Sequence, residues 1–186
     1  EHFTMTDRET EADVIVVNTC CFIGDAKEES IQNILEMAEY RKHGPCKALI
    51  VTGCLAQRYR QEVIDEIPEV DAVLGTNSFD KLIPAIRAAL EKNEKSLILE
   101  PLEGFASEKG KRLLTTGGHY AYLKIAEGCD KHCTYCIIPK VRGNYRSVPM
   151  ESLLQEAETL AEQGVKELIL VAQETTLYGK DLYGEK

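Results

Sequence analysis

Asp13-Val14-Ile15-Val16-Val17-Asn18 is an unbroken apolar, β-branched run closed by a polar residue at each end. A strand that faces water on one side alternates apolar with polar residues; one that does not alternate is covered on both faces, the condition of a parallel sheet between helices. The run leads straight into Thr19-Cys20-Cys21-Phe22 and then into a helical pattern. Asp25 with Glu28 three residues later has capping-box spacing, Ile31, Ile34, Leu35 and Ala38 make one apolar stripe, and Gly44-Pro45 stops the helix. Ala48-Leu49-Ile50-Val51 repeats the plan, passing through Thr52-Gly53-Cys54-Leu55 into a helix that reaches Ile64, and Val70-Asp71-Ala72-Val73-Leu74 with a helix from about Phe79 to Leu90 repeats it again. Three strand–helix alternations predict a doubly wound parallel α/β domain over residues 1–91. Its working crevice lies beyond the carboxyl ends of the strands, where Cys20 and Cys54 both fall; Cys46 precedes its strand, at the opposite end, and reads as a structural thiol.

Residues 92–118 break the rhythm. Lys92-Asn93-Glu94-Lys95 and Ser107-Glu108-Lys109-Gly110-Lys111 are polar, Gly117-Gly118 is permissive, and only Leu97-Ile98-Leu99 reads as extended, so this stretch is expected to link two domains. The second domain, 119–186, opens with a strand over Tyr120–Ala126. A helix from about Pro149 to Gln163 follows, with Ser147 as candidate N-cap, Gly164 at its end and Leu153, Leu154, Ala157, Leu160 and Ala161 as its buried face. Strand Glu167–Val171 completes one βαβ unit, the start of a β/α (partial TIM-type) barrel that the chain leaves unfinished.

Composition narrows the setting. Of 186 residues 44% are apolar, enough for two small cores, and no run approaches the ~20 apolar residues of a membrane span. The opening Glu1-His2-Phe3-Thr4 lacks the basic and apolar parts of a secretory signal. Because the chain starts without Met and its barrel is incomplete, it is expected to be a piece of a longer cytoplasmic protein. Seven cysteines without an export signal suit metal binding or thiol chemistry in a reducing compartment. Residues 1–91 carry a net charge of −8 and residues 92–186 of −1, so no basic face for nucleic acid is expected. Three of the histidines, His2, His43 and His119, fall in loops or termini and are expected in solvent; no Ser/His/Asp arrangement or phosphate-binding glycine loop stands out.

The chemistry concentrates in Cys129-Asp130-Lys131-His132-Cys133-Thr134-Tyr135-Cys136, in the loop that leaves the Tyr120–Ala126 strand. Cys-x3-Cys-x2-Cys allows three readings. A closed tetrahedral zinc site needs four ligands, and the fourth candidate, His132, adjoins Cys133 and points poorly at the same ion. A non-catalytic electron-carrying iron–sulfur cluster also takes four cysteines, the last of which Cys54 could supply. The third reading is a 4Fe–4S cluster with three ligated irons and one open coordination position, a seat for a cofactor.

With Tyr135 just before the last cysteine, this loop resembles the signature of the radical S-adenosylmethionine (radical SAM) enzymes. The resemblance implies that Cys129, Cys133 and Cys136 hold a 4Fe–4S cluster whose open iron is chelated by the amino and carboxylate groups of S-adenosylmethionine. It implies further that Tyr135 packs near the adenine and that Gln173 and Glu174 meet the methionine amino group; Arg142-Gly143 after the loop reads equally as a group that steadies the cluster's charge or as a turn with a solvated Arg. Val17-Asn18-Thr19-Cys20 and Thr52-Gly53-Cys54-Leu55-Ala56-Gln57 are similar to the first domain of the radical SAM methylthiotransferases, so Cys20 and Cys54 are expected to be two of three ligands of a second 4Fe–4S cluster, the third lying upstream. Tyr122–Cys129, Cys136-Ile137-Ile138-Pro139 and Val171–Gly179 resemble the branch that methylthiolates the β-carbon of an aspartate in the small-subunit ribosomal protein numbered twelve, with a reductant protein as electron donor and no membrane. The tRNA-adenosine branch is the alternative, and an electron carrier is the alternative of another class. The chain departs from the family at Cys21, where a small residue such as Gly is usual, and at Val148, where Arg is frequent. Cys21 is expected to be a small buried residue rather than a ligand.

Overall fold

The computed structural model describes residues 3–92, 94–104 and 112–184; His2 and the Ser107–Lys111 part of the expected linker lie outside the described residues. The chain divides into two compact units, Glu1–Pro101 and Leu102–Lys186.

The first unit is built on four parallel strands in chain order: β1 (Val14–Thr19), β2 (Ala48–Gly53), β3 (Val70–Leu74) and β4 (Ser96–Ile98). β4 lies inside the stretch expected to be linker; pairing with β3 draws it into the sheet. Every residue of β3, and all of β2 but Thr52, is buried, as the unalternating sequence predicts for a sheet covered on both faces; β1, the edge strand, departs from that reading, with Val14 and Val17 half-buried and Val16 39% exposed. α4 (Leu82–Lys92) packs Ala85 and Ile86 on Ile50, Ala72 and Leu74. The neighbouring Asp71, on the other face of β3, receives Arg41 of α1 (Gly24–His43) at 2.9 Å, so α1 covers the opposite side.

In the helices of the first unit, local readings fail in three places. α1 is capped by the backbone of Ile23 with no side-chain bond, and Asp25 sits within the first turn, where it meets the positive end of the helix dipole. Its buried line is Ser30, Ile34 and Ala38, spaced four apart; Ile31 and Leu35, about 100° further round the helix, are 38% and 45% exposed. The helix expected to reach Ile64 is two pieces, α2 (Cys54–Tyr59) and α3 (Gln61–Glu66), broken at Arg60, whose φ is +51° and whose Nε donates to the Gln57 carbonyl freed by the break.

In the second unit β5 (Tyr120–Lys124) pairs in parallel with β8 (Glu167–Val171), from Tyr120↔Glu167 to Lys124↔Val171. α6 (Met150–Glu162) joins them, burying Leu153 against Leu123, Ile125 and Val148, and Leu160 against Ala121 and Val165. This is the first βαβ unit of a β/α barrel. Leu154 is 57% exposed and Ala161 is exposed as well, so the buried seam is narrower than the sequence suggests. Pro149, not Ser147, precedes the helix; the Ser147 hydroxyl is committed to Asp181 and Gly179. Between β5 and α6 the chain forms β6 (Ala126–Glu127), the cysteine loop, α5 (Ile138–Arg142) and β7 (Arg146–Ser147); β6 and β7 pair antiparallel, Ala126 with Ser147 and Glu127 with Arg146.

Candidate functional site

The cysteines singled out from sequence form two groups, one in each unit. In the first, β1 and β2 end in register, Thr19 opposite Gly53, so Cys20 and Cys54 each follow one of two paired residues. The Thr19 hydroxyl donates to the Thr52 carbonyl at 2.6 Å and accepts from Ala56 N at 3.4 Å, tying the end of β1 to the start of α2. Gly53 allows this closeness: its φ is +97°, and a Cβ there would lie 2.4 Å from the Thr19 carbonyl oxygen. Cys20 is exposed and Cys54 half-buried, whereas Cys21 is only 3% exposed. Burial is the main push that raises the Cys21 thiol above its ordinary range, helped by Cys54 and opposed by Arg58. It stays a neutral buried thiol. Cys46, at the other end of β2, is also buried, donates to the Ala48 carbonyl at 3.3 Å and is raised chiefly by burial.

In the second unit the loop from Cys129 to Cys136 leaves a stapled neck. Gly128 has φ +79°, and a Cβ on it would fall 2.1 Å from the Asn144 carbonyl oxygen. Across the neck, Gly128 N donates to Gln173 Oε1 (2.8 Å), Cys129 N to the Gly143 carbonyl (3.2 Å) and Tyr145 N to Asp130 Oδ1 (2.8 Å). At its tip Cys136 N donates to the Cys133 carbonyl at 2.9 Å, turning the last two cysteines back on each other. Cys129 is buried at the neck, Cys136 half-buried, Cys133 exposed and Tyr135 86% exposed.

The charges around the neck are paired. Glu127, 6% exposed, holds Lys124 at 2.7 Å and Arg142 at 3.3 Å. Burial works to raise its carboxyl, but Arg142 and Lys124 outweigh it and leave it below the ordinary range. Arg142 is therefore engaged by a buried carboxylate. Glu174 is bonded by Lys131 and by Thr176, which together hold its carboxyl at about 2. Val148 is packed among Leu123, Ile125 and Leu153, an apolar setting with no place for an anion contact. His43, His119 and His132 are exposed.

The donor set fits a thiolate-held cluster. No disulfide links any of the seven cysteines, and three thiols share one loop whose base is fixed and whose rim is open. Among the described residues no three His, Cys, Asp or Glu side chains are gathered closely enough to hold a single metal ion.

Sequence reasoning passed over Ser30, Glu127, Asp130 and Lys131. Ser30 carried a signal, a hydroxyl in line with Ile34 and Ala38 on the face a helix buries; for Asp130 and Lys131 the partner is distant in the chain or lies across the loop, and Glu127 has a near partner in Lys124 but a distant one in Arg142.

Residues 1–75 match the uncharacterized protein family UPF0004, and residues 123–185 match the Radical SAM superfamily. Over 184 residues, 99% of this chain, it is 63% identical to the ribosomal protein uS12 methylthiotransferase RimO of Lachnoclostridium phytofermentans, and over 182 residues, 98% of the chain, 57% identical to the RimO of Clostridium tetani. The RimO of Desulforamulus reducens is 52% identical over 184 residues, again 99% of the chain. The chain spans about two fifths of the length of these curated relatives, 42%, 40% and 41% respectively. No helix among the described residues is long and apolar enough to cross a membrane. A UPF0004 segment is thus followed by a radical SAM segment, and sequence similar to these RimO proteins runs across both.

Proposed function

We propose that the protein is a methylthiotransferase that inserts a methylthio group at the β-carbon of an aspartate in ribosomal protein uS12. The observation that carries this reading is the 63% identity to a protein of that name over 99% of the chain. Cys129, Cys133 and Cys136 hold one 4Fe–4S cluster, Cys20 and Cys54 supply two ligands of a second, and Tyr135 covers the adenine of S-adenosylmethionine. When bound, the clusters and S-adenosylmethionine supply the radical and sulfur chemistry. The chain's own residues hold and orient.

The stapled neck supports this division of labour: it keeps Cys129 fixed while Cys133, Tyr135 and Cys136 stand on a rim a cofactor can reach. Glu174 already binds an ammonium, that of Lys131, and takes the cofactor's amine by exchanging that partner. Gln173 braces Gly128 and so ties the rim of β8 to the cysteine loop. A reductant protein in the cytoplasm supplies the electrons.

The test is mass spectrometry of uS12 and of tRNA nucleosides from a deletion strain complemented with the full-length gene. A methylthio group restored on the uS12 aspartate is the expected result. Restoration on tRNA adenosine with uS12 unmodified would replace this substrate with the tRNA one.

A further inference from the structure

We infer that Ser30 is a positioning residue that sets where the Cys20 thiol stands relative to Cys54. The inference deepens the reading of these two thiols as ligands of one centre. β1 stops pairing at Thr19↔Gly53, so Cys20 is the first residue with no ladder partner. Ser30, 7% exposed on the buried line of α1, takes over there: its hydroxyl accepts from Cys20 N at 2.9 Å and donates to the Cys20 carbonyl at 3.0 Å.

A helical serine ordinarily spends its hydroxyl on its own helix, on a carbonyl one turn back. Here it reaches ten residues away and engages both polar backbone groups of one cysteine. Bonding either group alone would leave the residue free to swing about the other; bonding both holds the backbone on each side of its Cα.

The opposite side of the site is held as firmly. Thr19 bridges to Thr52 and Ala56, and Gly53 lets the two backbones approach closely. Cys20 is thus gripped from α1 behind and from β2 and α2 beside it, with its thiol left exposed. Such a grip suits a ligand whose side chain must meet a second thiol at a set separation.

The test reads thiol geometry rather than turnover. Full-length protein without iron, carrying Cys129→Ser, Cys133→Ser and Cys136→Ser, is treated with the thiol-bridging reagent dibromobimane, and the Cys20–Cys54 bridge is counted by peptide mapping. The bridge is expected in this parent and is expected to fall about fivefold in Ser30→Ala, which removes both hydrogen bonds to Cys20. Because Ser30→Ala could also loosen the fold, Ser30→Thr and Ser30→Val, which differ only in the hydroxyl, are compared at matched melting temperature. The expected result is a parental bridge in the first and a reduced one in the second. Equal bridging in Thr and Val variants, or no bridge in the parent, would overturn the inference. Unmodified uS12 in the deletion strain complemented with the unsubstituted full-length gene, alongside a hydroxyl-dependent bridge, would instead remove the proposed function and leave the role of Ser30 standing.

Discussion

Glu127 is a carboxylate kept nearly out of water between Lys124 and Arg142, and its neighbours hold it ionised. Its folded pKa lies below the ordinary value of 4.5, so its stabilising contribution is complete above that value and drains away as the pH falls through the folded pKa. Glu127→Gln is expected to cost about 1–3 kcal/mol at neutral pH, less than a fully buried pair because both cations remain partly in water. It should also flatten part of the acid side of the stability curve. Urea unfolding of both proteins between pH 3 and pH 7 checks both statements. Asp181, Glu69 and Glu174, whose carboxyls are likewise lowered, keep the remaining acid slope in place. At Gly53 the constraint is steric. Gly53→Ala forces a methyl into the space of the Thr19 carbonyl oxygen at a φ of +97°, and is expected to cost roughly 1–3 kcal/mol. A lowered melting temperature together with a weakened Cys20–Cys54 bridge would mark that strain.

At the scale of elements, short pieces of structure are held by side chains more than by their own length. α7 (Lys180–Tyr183) has four residues and cannot persist alone. Asp181 accepts from Ser147 N (2.8 Å) and from the Ser147 hydroxyl (2.5 Å), which itself accepts from Gly179 N (2.8 Å). Tyr178 donates to the Val148 carbonyl at 2.9 Å, and Met150 N donates to the Tyr183 hydroxyl at 3.0 Å. This latch fastens the segment after β8 to β7 and the start of α6, and so steadies the rim that carries Gln173 and Glu174. Asp181→Ala leaves the Ser147 amide and hydroxyl without their acceptor and is expected to destabilise by about 1–3 kcal/mol. Hydrogen exchange should quicken at Ser147 and over 178–183 while β2 and β3 stay protected; unchanged exchange there would show that packing alone holds α7. The break between α2 and α3 is of the same kind. Arg60 gives up helical geometry, and its guanidinium caps a carbonyl that the break exposes.

At the scale of the whole molecule, two cysteine sets in two units predict two separable losses. In the reconstituted full-length protein, Cys129→Ser, Cys133→Ser or Cys136→Ser is expected to abolish reductive cleavage of S-adenosylmethionine and, with it, modification of uS12. Cys20→Ser or Cys54→Ser is expected to leave cleavage within about twofold while methylthiolation is lost, the split expected when one step is removed and another kept. Chromatographic assay of 5′-deoxyadenosine and mass spectrometry of uS12 measure the two activities. Loss of cleavage in the Cys20 variant would merge the two centres into one.

What could be read from residue order alone was whatever depends on near neighbours in the chain. Unalternating apolar runs marked parallel strands, buried in β2 and β3 but part-exposed in β1 and β8; turn chemistry placed the end of α6 at Gly164; the spacing Cys129, Cys133, Cys136 located the loop of interest, and Cys21 and Cys46 proved to be the buried thiols their positions suggested. What the fold alone decided depends on partners brought together from afar. The extended Leu97-Ile98-Leu99 is legible locally, but its place as a fourth strand beside β3 is not. Ser147 is an attractive cap until Asp181, 34 residues on, claims its hydroxyl, and Arg142 is a solvated cation until the chain turns it onto Glu127. Ser30 looks like a flaw in an apolar stripe until α1 lies across the end of β1 and its hydroxyl meets both polar backbone groups of Cys20. Hydrophobic periodicity is a local code, whereas a buried polar group takes its meaning from whichever distant donor or acceptor the packed core delivers to it.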